Sequence, residues 1–197
     1  MARIRLFATS LLLSAALLAG AATAQTGTLE IAVDTAPVGL DPHLVTAFSS
    51  FVVIGQIYDS LIEVNADLGL EPGLATEWTV SDDGLTYVFQ LRSDVLFHNG
   101  RTMTADDVVY SFERVADPET ASPQASRFAQ VASAVASGEF EVTVTLSQPY
   151  APFLNNLPNL SIVPQEVVAE HGNLQQVAVG TGPVSYTHLT LPTIYSV

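Results

Sequence analysis

Four histidines, the adjacent aspartates Asp106 and Asp107 and one loop rich in Asn and Asp are the places where this sequence could do chemistry. A neutral imidazole is a common metal ligand, so His43 invites a metal reading. No second ligand follows it at useful spacing, and a loop histidine is the expectation. His98 sits beside a hairpin turn and is expected to act as a structural hydrogen-bonder rather than a base. His171 and His188 are scattered. Asp106 and Asp107 resemble a carboxylate pair, but neighbours on a helix diverge by about 100° and cannot face one substrate. Helix capping and compensation of the helix dipole explain them better. Asn65-Ala66-Asp67-Leu68-Gly69 carries part of a calcium loop without its remaining ligands or terminal glutamate, so it reads as a turn. There is no Gly-x-Ser-x-Gly elbow, no His-Glu-x-x-His helix and no phosphate-cradling glycine loop. No catalytic residue, metal site or cofactor is expected.

The elements that hold these residues centre on residues 74–112. Trp78 to Val80 and residues 85–91 are β-rich runs around Ser81-Asp82-Asp83-Gly84, a strand, turn and strand. Tyr87, Phe89 and Leu91 alternate with Val88 and Gln90, giving one apolar face. Asn99-Gly100 is the favoured pair of a two-residue type I′ turn. Thr104 can cap a helix, with Asp107 reaching back to it. Val108, Val109 and Phe112 then share a face, and Glu113 and Arg114 lie near the helix end.

Elsewhere, Thr28 to Val33 alternates as a strand. Phe51, Ile54, Tyr58, Leu61 and Ile62 fall close to helical spacing, which predicts a helix over residues 48–64, weakened by Gly55. Residues 126–135 read as a weak helix. Phe140, Val142, Val144 and Leu146 alternate with Glu141, Thr143, Thr145 and Ser147, a strand with one buried and one wet face. Short helices are expected near residues 149–154 and after Pro164.

The chain of 197 residues holds no cysteine and no lysine, and its six cations are all arginines. Lack of cysteine excludes disulfides, thiolate metal sites, a cysteine nucleophile and a lipoprotein-type anchor. Residues 1–24 read as a cleaved signal: Arg3 and Arg5, an apolar run over residues 6–18, then Ala22-Thr23-Ala24. Without them four arginines face 20 acids, leaving 16 excess negative charges. Such a surface disfavours nucleic acid and anionic membrane.

Five phrases together resemble the family-5 extracellular solute-binding proteins of ABC importers, the dipeptide, oligopeptide and nickel group. They are Pro72-Gly73-Leu74-Ala75-Thr76-Glu77-Trp78, Asp82-Asp83-Gly84-Leu85-Thr86-Tyr87, Leu91-Arg92, Phe97-His98-Asn99-Gly100 and Ala105-Asp106-Asp107-Val108. Leu40-Asp41-Pro42-His43, Gln56-Ile57-Tyr58-Asp59-Ser60-Leu61, the run from Pro149 to Leu154 and Gly180-Thr181-Gly182-Pro183 also fit. The resemblance spans residues 28–183. It implies an α/β protein of the periplasmic-binding-protein-like type II, of which this chain is an N-terminal fragment. That fragment would comprise the start of lobe one and an inserted small mixed α/β domain. Residues 25–44 would be the first strand and loop of lobe one, 45–176 the inserted domain and 177–183 the return. Residues 184–197 carry no charged residue and match no family phrase; they are expected to be a foreign tail, such as translated adapter joined to a truncated gene.

The resemblance further implies that Val45, Thr46, Ala47, Phe48 and Ser49 line a ligand cleft. A peptide could pair its backbone with such a segment. The expected role is the periplasmic substrate-binding component of an ABC importer, without enzymatic activity. It would bind a peptide or similar small solute and deliver it to an inner-membrane permease, and a monomer is expected. The alternatives are an exported docking module and an exported hydrolase.

Overall fold

The computed structural model describes residues 35–185. The signal segment, the strand at residues 28–33, His188 and all but the first two residues of the expected foreign tail lie outside them. The described elements are α1 (Phe48–Ile57), β1 (Ile62–Val64), β2 (Leu70–Pro72), β3 (Ala75–Val80), β4 (Thr86–Leu91), α2 (Ala105–Ala116), β5 (Val131–Gly138), β6 (Glu141–Leu146), α3 (Phe153–Asn156) and α4 (Gln165–His171).

Four strands form an antiparallel sheet in the order β3-β4-β6-β5, and β1 and β2 make a separate hairpin. The sheet exists because its two central strands alternate. Tyr87, Phe89 and Leu91 are buried from β4, and Val142, Val144 and Leu146 from β6. Their register pairs Phe89 with Val142 and Tyr87 with Val144, so both apolar rows share a face. Helix α2 contributes Val108, Phe112 and Val115 to the same core. Edge-to-face contacts lock its margins, Tyr87 on Phe153 at 4.7 Å and Phe112 on Phe128 at 5.8 Å between ring centroids. The start of α2 is built as its sequence requires. The Thr104 N–H donates to the Asp107 carboxylate at 2.9 Å, the return half of a capping box.

Three expectations are corrected. The helix over residues 48–64 stops at Ile57, and Tyr58 is extended at φ −123°, ψ 141°. The carbonyls of Gln56 and Ile57 accept the amides of Val184 and Gly182, each at 2.9 Å, so a distant segment caps the helix end. Beyond it, Ile62 to Val64 pairs with β2 as a strand. Residues 131–135 belong to strand β5 rather than a helix, because β6 offers a full ladder whose pairing overrides the helix preference of an Ala-rich run. At Asn99-Gly100 the Gly100 amide bonds the Phe97 carbonyl and the Phe97 amide bonds Arg101. Only Gly100 has positive φ, at 86°, so this is a three-residue loop rather than a type I′ turn. The Asn65 loop is a turn as expected. The Asn65 side-chain oxygen accepts the Asp67 and Gly69 amides at 3.0 and 2.9 Å, leaving no set of converging oxygens.

A second core lies beside the first. Leu40, Val45, Ile54, Ile57 and Tyr58 meet Val163, Val167, Val168, Leu174 and Ala178 there. Among the described residues no helix is long and apolar enough to cross a membrane.

Candidate functional site

The second core carries the segment of interest, residues 35–49, and one carboxylate anchors it. Asp41 is fully buried. Its two oxygens accept Arg114 Nη1 and Nη2 at 2.9 and 2.6 Å in a bidentate pair. The backbone amides of His43 and Leu174 add bonds of 3.0 and 2.9 Å. Burial pushes the Asp41 carboxyl up, but the hydrogen bonds and charge of Arg114 with the two amides outweigh it and hold the carboxyl below its usual range.

Next to it, the His43 ring shares a 2.9 Å hydrogen bond with the Ser161 carbonyl, which fixes Nε2 as the protonated nitrogen. Ser122 Oγ donates to the His43 carbonyl at 2.7 Å. His43 is therefore a buried structural histidine. Burial first, then the positive charge of Arg114, pushes its imidazole down to about 4. An unfolded histidine titrates near about 6.5, so on acidification the unfolded chain takes its proton first. His43 thus supports the fold fully above about pH 6.5 and loses that support as pH falls toward 4, by about 3 kcal/mol. Urea midpoints between pH 7 and 4.5 should drop steeply in the native chain and much less in His43→Gln. Equal slopes would contradict this assignment.

From this anchor the chain runs into α1. Val45 is buried in the second core, whereas Thr46 is exposed. Ala47 and Ser49 are half-buried, and Ala47 is extended at φ −72°, ψ 130°. Phe48 stands 82% exposed, and Val38, Phe51 and Val52 are exposed as well. Fastening is light here: Ser49 Oγ donates to the Ala36 carbonyl at 3.3 Å, and the Val38 amide to Ser50 Oγ at 3.1 Å. Of the five expected cleft residues, Val45 thus turns its side chain into the core, while Thr46 and Phe48 present theirs outward.

The other candidates serve structure. His98 clasps the chain around residue 180: its Nε2 donates to the Gly182 carbonyl at 2.8 Å and its Nδ1 accepts the Gly180 amide at 3.2 Å. Asp106 is exposed, while Asp107 is buried and pairs with Arg101. Arg101 also bonds Glu166 of α4 at 2.7 Å and stacks 4.9 Å from the Phe97 ring centre. The two adjacent aspartates do not converge. Among the described residues no group of three or more His, Asp or Glu side chains could hold a metal.

Sequence reading missed the Asp41–Arg114 pair. A signal was present in α2, where Asp107, Ser111 and Arg114 fall at spacings of four and three residues. That makes a polar stripe beside the apolar face, and all three are buried. Ser111 Oγ bonds the Asp107 carbonyl at 2.7 Å and receives the Val163 amide at 3.0 Å.

Comparison with known proteins gives this geometry a family. The profile described as "Bacterial extracellular solute-binding proteins, family 5 Middle" matches residues 69–189, running past Pro183 where the recognised phrases end. The probable deoxycholate-binding periplasmic protein YgiS of Escherichia coli is 33% identical over 156 residues, 70% of this chain and 29% of its own. Di/tripeptide-binding protein 2 of Pseudomonas aeruginosa is 33% identical over 90% of this chain and 38% of its own. The solved structure of DppA from Helicobacter pylori in complex with peptide STSA superposes with a TM-score of 0.68 at 33% identity, covering 77% of this chain and 35% of that one. This chain spans about a third of the length of the curated relatives it matches. These relatives are solute-binding proteins of transport systems rather than enzymes, and the expected type II periplasmic-binding-protein fold is borne out. The chain belongs to family 5 of the bacterial extracellular solute-binding proteins.

Proposed function

We propose that this chain is the first part of a two-lobed periplasmic binding component of an ABC importer. It takes a peptide or a similar small solute between its lobes and hands it to an inner-membrane permease. The observation that carries this reading is the apolar, lightly fastened and exposed start of α1, with Phe48 at its tip. An isolated exposed phenylalanine is unremarkable, but here Phe51 and Val52, three and four residues on in the same helix, are exposed as well, in a chain rich in acids. Thr46, Ala47, Phe48 and Ser49 form one edge of the cleft, and Val45 supports them from the core side. The Ala47 carbonyl is taken by the Ser50 and Phe51 amides of α1, so main-chain pairing with a peptide would fall to Val45 and Thr46, and would give affinity without selecting side chains.

Residues 25–44 and 177–183 belong to lobe one in this reading, and residues 45–176 to the inserted small domain. The protein reaches the periplasm through the cleaved signal at residues 1–24, carries no lipid anchor and works as a monomer.

One edge of a cleft does not close on a ligand, since closure needs a second lobe and a hinge. Calorimetric titration with a mixed dipeptide and oligopeptide pool should therefore give micromolar binding for a two-lobed, full-length product. The 197-residue chain should bind at least about a hundredfold more weakly. Equal affinities, or no binding by the full-length product, would contradict the reading.

A further inference from the structure

We propose that Asp41 and Arg114 are a positioning pair, which sets where residues 45–49 stand and through them how tightly solute binds. This rests on the reading of residues 45–49 as a cleft edge. Four donors from three parts of the chain converge on the Asp41 carboxylate: two from Arg114 in α2, one from Leu174 after α4 and one from His43 itself. The node thereby joins the start of the segment to two helices at a single point, across 73 residues of sequence in the case of Arg114.

The loop that leaves this node is held by hydrogen bonds. The Leu44 amide turns back onto the Asp41 carbonyl at 3.2 Å. Ser122 and Ser161 hold the His43 carbonyl and ring. After Val45 the fastening thins to two hydroxyl contacts, and no side chain caps the start of α1. Ser50, Ile54 and Ile57 seat the body of α1 in the core, and the node upstream fixes how the chain enters that helix through Thr46 and Ala47.

The energetics agree with a geometric role. A buried ion pair contributes little net stability against apolar residues of similar size, because both charges give up hydration. What it does contribute is direction. A bidentate guanidinium fixes both the distance and the angle of its partner, which a lysine point charge does not. A pair kept for stability alone could be replaced by leucine and methionine at the cost only of the two amides that Asp41 accepts. A pair kept for position could not.

The test compares Asp41→Leu/Arg114→Met and Arg114→Lys with the native protein. The double variant leaves no unpaired buried charge, and its remaining cost is the lost acceptor of the His43 and Leu174 amides. In the 197-residue chain we expect its Tm to fall by about 5–10 °C, less than that of Arg114→Met alone. The amides of residues 44–51 should exchange at least about tenfold faster, with those of β4 and β6 unchanged. In the full-length product the same variant should bind the peptide pool at least about tenfold more weakly, and Arg114→Lys should fall between it and the native protein. Unchanged exchange at residues 44–51, or a uniform acceleration across the whole chain, overturns the proposal. So does unchanged affinity in a full-length product whose native form binds. If the native full-length product binds no peptide, the reading of function fails instead, and hydrogen exchange alone decides whether the pair positions the segment.

Discussion

Replacing Arg114 by methionine alone is expected to cost about 3–5 kcal/mol of unfolding free energy, measured by urea denaturation. Methionine fills much of the volume, so lost packing is the smaller part. The larger part is Asp41, which stays buried with its charge and keeps only the amides of His43 and Leu174. Hydrogen bonds from two amides do not replace a guanidinium, and a carboxylate in that position must either stay charged or take up a proton. Adding Asp41→Leu removes the stranded charge and should return part of the loss, the remainder being the His43 and Leu174 amides left without an acceptor. The single variant is thus expected to be less stable than the double, an order that contact counting would not give. A loss under about 1 kcal/mol for Arg114→Met would mean that water reaches the pair.

The second large effect belongs to Gly180. A β-carbon built there runs into the Ile57 carbonyl oxygen and lies 2.7 Å from Tyr58 Cδ1, at the point where the return segment crosses the end of α1. Backbone cannot step aside as a flexible side chain can. Relief would pull residues 180–184 off the surface and break the bonds from His98 to Gly180 and from Gly182 to Ile57. Overpacking plus these hydrogen bonds puts the cost of Gly180→Val on the order of 4 kcal/mol. Gly55 is the control. It lies in α1 with nothing within 4 Å of a built β-carbon, so Gly55→Ala should be neutral or stabilise by up to about 1 kcal/mol. If the two glycines respond alike, the close crossing at Gly180 is not formed in solution.

These two positions also show what the sequence could and could not disclose. Local signals were read well. The alternation of Tyr87, Phe89 and Leu91 and of Val142, Val144 and Leu146 sets the two central strands, and Thr104 with Asp107 sets the start of α2. Their causes are periodicity and capping, which operate within a few residues. Long-range effects leave no local mark. Residues 131–135 have the composition of a helix and form a strand because β6 is there to pair with them. Tyr58, Leu61 and Ile62 have helical spacing, yet α1 ends at Ile57 where Gly182 and Val184 take its last carbonyls. No window around residue 57 contains residue 182. The Asp41–Arg114 pair is hidden in the same way, since neither residue marks the other. Only the polar stripe of Asp107, Ser111 and Arg114 hints that one side of α2 is buried against something polar. Within residues 45–49 the resemblance supplied the place, and burial then separated Val45 from Thr46 and Phe48.

The account turns on whether the exposed start of α1 meets a solute. The direct measurement is calorimetric titration of the full-length product with the mixed peptide pool, comparing the native protein with Phe48→Ala. Phe48 is 82% exposed, so the substitution should leave Tm essentially unchanged. A cleft-lining aromatic should cost affinity all the same, and the prediction is micromolar binding for the native protein and at least about tenfold weaker binding for the variant. Native-like affinity in Phe48→Ala at unchanged Tm would contradict the assignment of this segment to the cleft.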